Sequence, residues 1–152
     1  MRPYELAAFV AVAVLLIFAV SFIFAKGERK KATLTDQDGK KIVLDVEIAD
    51  NPVTRAKGLM GRTMLGDKEG MLFVFSKPDR YGFWMFNTTI PLDAIHISEN
   101  GSVVDVIGMA PCKSASCPIY KSEKTAKYVL EVNKGFAKKY GIAAGKSQFS
   151  VN

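Results

Sequence analysis

A mainly β domain of the α+β class is what this 152-residue sequence predicts, its antiparallel sheet curled into a barrel- or sandwich-like body behind one transmembrane helix. Three observations carry the prediction. Seven or eight short β-prone runs follow one another, with turn signals roughly every ten residues. Only two stretches carry helix-capping chemistry, and both are short, so they close the ends of a sheet rather than form a layer. Ahead of all of them stands one long apolar run.

That run, Leu6–Ala25, holds no charged residue and a single polar side chain, Ser21. As a helix it is roughly 30 Å long, which matches the hydrocarbon core of a bilayer. Ile23-Phe24-Ala25 is a poor cleavage site, because bulky Ile23 stands where a small residue is expected, so the run reads as an uncleaved anchor. Lys26, Arg29, Lys30 and Lys31 flank it. They form an ordinary stop-transfer flank, with contact to anionic headgroups as the alternative. Residues 1–31 are thus an anchor with a basic flank, and residues 32–152 a soluble domain whose natural partner at this end is the lipid bilayer.

Ala32–Thr35 opens the domain as a β-prone run, and Asp38-Gly39 marks a hairpin turn. In the next segment Ile42, Leu44, Val46 and Ile48 alternate with Val43, Asp45 and Glu47, the pattern of a half-buried antiparallel strand. Asn51-Pro52 starts a short helix that Gly58 or Gly61 ends. Met71–Phe75 is apolar on both faces and reads as a central strand. Tyr81–Phe86 is the strand that leads into Asn87-Thr88-Thr89, a polar corner between apolar neighbours whose side chains must find partners. Ala94–Ser98 and Val103–Ala110 flank an Asn100-Gly101 turn and pair with each other. Tyr128–Val132 is a further strand. Asn133 caps a last short helix with Phe136 and Tyr140 stacked on one side, and Gln148–Val151 is an edge strand.

Charge excludes one class of partner. The net charge of +6 divides evenly, +3 on residues 1–31 and +3 on residues 32–152, where sixteen basic side chains are interspersed with thirteen acidic ones. Such a surface has no nucleic-acid footprint. Phosphate-binding, dinucleotide and nucleophile-elbow motifs are absent. The one histidine, His96, alternates with Ile95 and Ile97, which places it on a partly exposed strand face and leaves a His-based zinc centre without ligands. Five scattered methionines are core gap-fillers rather than a copper site. No cofactor and no metal is expected.

The two cysteines, Cys112 and Cys117, close a small loop; a structural disulfide is the simplest reading, with free thiols and redox or metal chemistry as alternatives. Asp93 follows an apolar Ile-Pro-Leu run and needs donors if it is buried. Arg55 and Arg62 bracket the first short helix and suit an anion or a carboxylate.

Gly58-Leu-Met-Gly-Arg62, Gly70-Met-Leu-Phe-Val-Phe75, Phe83-Trp-Met-Phe-Asn-Thr88, Ile90-Pro-Leu-Asp93, Ala110-Pro-Cys112 with Cys117 and Tyr120, and Tyr128-Val-Leu-Glu131 together resemble the DUF192 family from about Thr33 to Phe149. The resemblance implies a compact, largely antiparallel β domain in proteins that are commonly exported or membrane-anchored. It supplies no catalytic residues. Two positions depart from the family pattern: Phe86 stands where the family has Lys, and His96 where it has an aromatic or aliphatic residue. The first departure argues against a lysine-based enzyme.

The expected protein is a single-pass membrane protein with a non-enzymatic domain that binds a glycan, a peptide or a small anionic ligand. Its cleft is expected near Trp84, Asn87, Thr88 and Asp93, with Arg55 and Arg62 as anion contacts. An enzyme using Asp93 and Arg62, or a scaffold for other membrane proteins, is the alternative. The positive-inside rule places the domain in the cytoplasm; the habit of the family places it outside, which is the side expected here.

Overall fold

The computed structural model describes residues 27–114 and 116–152. The expected transmembrane run, Leu6–Ala25, lies outside them; among the described residues no helix is long and apolar enough to cross a membrane. Strands β1 (Arg29–Thr35) and β2 (Lys41–Ala49) come first, followed by helix α1 (Pro52–Lys57) and strands β3 (Glu69–Asp79) and β4 (Gly82–Trp84). Next come β5 (Leu92–Ile97), β6 (Val103–Met109), β7 (Ile119–Lys121) and β8 (Ala126–Asn133), then α2 (Phe136–Lys139) and β9 (Gln148–Val151). Strand β1 begins inside the stretch read as a basic flank. Arg29 there donates to three carboxylates, Asp45, Glu47 and Glu69, at 3.1–3.2 Å.

Seven strands form one sheet in the order β6-β5-β8-β3-β2-β1-β9, and β4 and β7 form a separate ribbon. The expected barrel or sandwich is corrected to an open sheet. Strands β6 and β9 are its edges, and no ladder joins them. They meet at one corner only, where Val103 N donates to Ser147 O (3.0 Å) and Phe149 N to Gly101 O (2.8 Å). Strand β9 is four residues long, and its edge away from β1 makes one isolated bridge, Gln148 to Ser102, too little to close the ring. Antiparallel pairing is also not universal, since β2 and β3 run parallel across the α1 crossover.

Alternation along the central strands sends side chains into two apolar clusters, one on each face. Leu44, Val46, Leu72, Ile95, Leu130 and Val132 meet Phe136 and Ala137 of α2 on the first face. Met71, Phe73, Ala94 and Val129 meet Phe83, Met85 and Leu59 on the second. Met71, Leu72 and Phe73 are all buried, as a central strand requires. A close approach explains Gly70: a Cβ there would lie 2.7 Å from the carbonyl oxygen of Glu131 on β8.

Candidate functional site

On the second face the sheet is covered by thin elements, and a groove remains between them. Helix α1 is one wall. Its start follows the sequence expectation: the Asn51 side chain accepts from Val53 N (3.1 Å) and Thr54 N (3.0 Å), and Pro52 takes the first position. None of its residues is buried. It is held instead by its cap and by Arg55, whose Nη1 donates to Val74 O (2.9 Å) and whose guanidinium lies 5.4 Å from the centre of the Phe75 ring. Gly58 ends the helix at φ +48°, a conformation that suits glycine.

The opposite wall is aromatic. Phe75 stacks on Tyr81 with ring centres 3.5 Å apart, and Phe83 meets Phe73 edge-on at 5.1 Å. Phe83 and Trp84 belong to β4, whose partner β7 sets Phe83 opposite Tyr120 and Trp84 opposite Ile119. This two-residue alternation turns Phe83 inward and leaves Trp84 52% exposed at the lip, stacked on Phe86. A disulfide between Cys112 and Cys117 staples the loop behind the ribbon, and Cys112 bridges to both Phe86 and Thr88. The disulfide reading of the cysteine pair is thus the one the fold adopts.

The space enclosed is about 270 Å³, lined by Arg55, Lys57, Phe73, Phe75, Trp84 and Thr88 among others, with Glu131 of β8 at its inner end. Glu131 is 4% exposed. No hydrogen bond or ion pair from the described residues reaches its carboxyl, and burial alone pushes it up to about 8. At neutral pH it is mostly a neutral acid, able to donate a hydrogen bond. Glu131 was visible in the sequence only as the end of a strand motif. The signal available was an acid inside an apolar Tyr-Val-Leu-Glu-Val run, which marks a buried carboxyl once that strand is known to be central.

Of the expected site residues, Arg55, Trp84 and Thr88 do line this groove. Asn87 is exposed beside it in a left-handed conformation, φ 53°, and its carbonyl accepts from Gly61 N (2.9 Å). Arg62 lies in a second depression of about 410 Å³ that adjoins the first through Lys57, Gly58 and Met60. There its guanidinium is paired with Glu47. Asp93 is not in the groove. It shares the first face with Ile95 and Ile97, where Oδ2 accepts from Gly135 N (2.9 Å) and Ala137 N (3.2 Å) at the start of α2. The pair Asp93 and Arg62, named for a catalytic role, is therefore divided between two faces of the sheet.

His96 departs from its expected half-exposure. It is 1% exposed, its ring lies edge-on to Phe83 at 6.0 Å, and neither ring nitrogen has a partner among the described residues. Burial lowers its proton affinity, and Asp105 on β6 only partly opposes this. Among the described residues no group of three or more His, Cys, Asp or Glu side chains is arranged to hold a metal ion.

The comparisons with known proteins agree with this fold. A crystal structure from Sinorhizobium meliloti 1021, described as that of a candidate transcription regulator, superposes with a TM-score of 0.78 at 30% identity, covering 84% of this chain and 96% of that one. A protein of unknown function from Novosphingobium aromaticivorans DSM 12444 superposes with a TM-score of 0.76 at 33% identity, covering 83% and 87%. No curated protein matches the chain significantly. The DUF192 family, described as uncharacterized ACR, matches residues 33–148; with the motifs, the fold and two solved relatives in accord, this chain belongs to the DUF192 family.

Proposed function

We propose that this chain is a membrane-anchored, extracytoplasmic ligand-binding module, and that its ligand, a glycan, a peptide or a small anionic molecule, lies in the groove beneath Trp84. The observation that carries the reading is the inner end of that groove, where the Glu131 carboxyl, without a hydrogen-bond partner among the described residues, is buried in a space lined largely by aromatic side chains. A concave, mostly apolar site with a few convergent polar groups is the general form of a binding pocket. Helix α1 supports the same reading, because it buries nothing yet its cap and Arg55 hold it over the groove. Anchoring is supported by the apolar run Leu6–Ala25, and an oxidising compartment by the disulfide. The regulator description of the Sinorhizobium protein does not extend to this chain as a nucleic-acid partner, since sixteen basic and thirteen acidic side chains are mixed over residues 32–152.

Trp84 is the single tryptophan of the chain, so its emission reports the groove directly. Titration of the purified full chain with neutral oligosaccharides, short peptides and small carboxylates is expected to give a saturable change for one of these classes. Trp84→Ala should weaken that ligand tenfold or more, read by calorimetry, while the melting temperature stays within a few degrees. Absence of a saturable response to every class would refute the binding reading.

A further inference from the structure

The surroundings of Glu131 narrow the ligand beyond those classes. The cross-strand row through it reads Glu47, Met71, Glu131 and Ala94, so its immediate neighbours on both sides are apolar. Buried Phe73 and Phe83 line the same groove, with Phe75 and Tyr81 half-buried and Trp84 exposed. Ring faces carry the negative side of their quadrupole, so they repel a carboxylate and attract a cation. Arg55, seated over Phe75, already occupies one such face at the mouth. Among the described residues no cation or hydrogen-bond donor is bonded to Glu131, so an ionised carboxyl there has only the water that enters the groove, and one positive group would supply the missing counter-ion. The mouth has the opposite preference. Arg55 and Lys57 line it, and a bare cation would have to pass them, whereas a ligand carrying its own anion would not be repelled.

We propose that the groove takes a small zwitterionic amino compound, its ammonium group against Glu131 among the aromatic walls and its anionic group at the mouth beside Arg55 and Lys57. The proposal rests on the groove being a binding site, as argued above, and names the chemistry it selects. A space of about 270 Å³ fits a ligand of amino-acid size.

Ammonium recognition needs the ionised carboxyl, so binding below pH 8 must expel the Glu131 proton. The other titratable groups near it leave that proton in control. Arg55, Lys57 and Tyr81 line the same groove, Arg55 bonded to Val74 O. His96, on the same face of β5, is held neutral by burial. Glu47, two strands away, is tied to Arg29 and Arg62. Lys127, two turns of the pleat along β8, is bonded to Ser76 O and Glu99. Affinity for an ammonium ligand should then rise about tenfold per pH unit up to about 8 and level off above it.

The test uses the full chain and three probes of one size: 4-aminobutyrate, butylammonium and butyrate. Trp84 emission and calorimetry should rank 4-aminobutyrate first, with butylammonium at least tenfold weaker and butyrate weaker still. Near pH 7 binding should release about one proton, read as a dependence of the heat on the buffer. Glu131→Gln, close in shape to the neutral acid, should keep its fold, lose tenfold or more in affinity for 4-aminobutyrate, and lose the pH dependence. Equal binding of 4-aminobutyrate by Glu131→Gln and wild type, or affinity independent of pH from 6 to 9, would overturn the zwitterion proposal. If amines give no response while N-acetylated peptide amides or neutral oligosaccharides do, this inference fails and the binding reading stands. Silence from all of them removes both.

Discussion

Glu131 and His96 sit on the same face of neighbouring strands, and burial opposes the charged form of each. For the acid this raises proton affinity and for the base it lowers it. The folded chain therefore holds the Glu131 proton more tightly than the unfolded chain does. The stability this confers is complete below pH 4.5, where both states are protonated, and is lost as pH rises toward about 8. Relative to Glu131→Gln, wild type should lose roughly 1.4 kcal/mol per pH unit across that window and become constant above it, measured by denaturant unfolding at a series of pH values. Parallel curves for the two proteins from pH 4 to 9 would show that Glu131 is not desolvated. His96 shows why a polar residue in an alternating strand misleads. Next to Ile95 and Ile97 it reads as the wet face of a half-buried strand, but all six residues of β5 are buried, because β6 and β8 flank it and both faces are covered.

At the scale of elements, short helices depend on borrowed partners, since four to six residues cannot sustain a helix by themselves. Helix α1 borrows from within its own sequence, through the Asn51 cap, and so could be read in advance. Helix α2 borrows from β5. Its N-cap is Gly135, which has no side chain to offer, and Asp93 fills the role from 42 residues away. Asn133, the expected cap, instead donates to Leu65 O at 2.9 Å. Asp93→Ala is expected to cost about 1–3 kcal/mol, because the N–H groups of Gly135 and buried Ala137 lose their acceptor, and Asp93→Asn less, since an oxygen acceptor remains. Trp84 emission and ligand response should be unchanged in both variants, measured below their melting temperatures. A loss of ligand binding with stability intact would return Asp93 to the site. The β4–β7 ribbon was half legible: the aromatic run predicted β4, but three residues after a cysteine loop carry too little pattern to predict β7.

The whole molecule combines an open sheet, a stapled ribbon and a groove between them. Among the described residues the disulfide closes a loop of only six positions, so chain entropy assigns it on the order of 2 kcal/mol. Replacing both cysteines by serine should lower stability by about that amount and leave the sheet folded, with its larger effect on the lip formed by Phe86 and Thr88, which Cys112 bridges. Reaction with a membrane-impermeant maleimide on intact cells, seen only after reduction, is the expected result for an extracytoplasmic domain. Labelling that appears only after lysis and without reductant would place the domain in the cytoplasm.

Local chemistry in the sequence determined the strand succession apart from β7, the Asn51 cap, the turn at Asn100-Gly101, the cysteine pair and the family motifs, because each is written within about ten consecutive residues. Tertiary structure decided what depends on distant partners. It set the parallel β2–β3 pairing, left the sheet open, and sent Asp93 to one face and Glu131 to the other. The physical reason is that a side chain's face is set by local alternation, whereas what covers that face is set by strands and helices tens of residues away. Arg55, Trp84 and Thr88 were legible because aromatic, hydroxyl and guanidinium groups beside a turn already point to a cleft. Glu131 was not, since only the covered sheet buries its carboxyl.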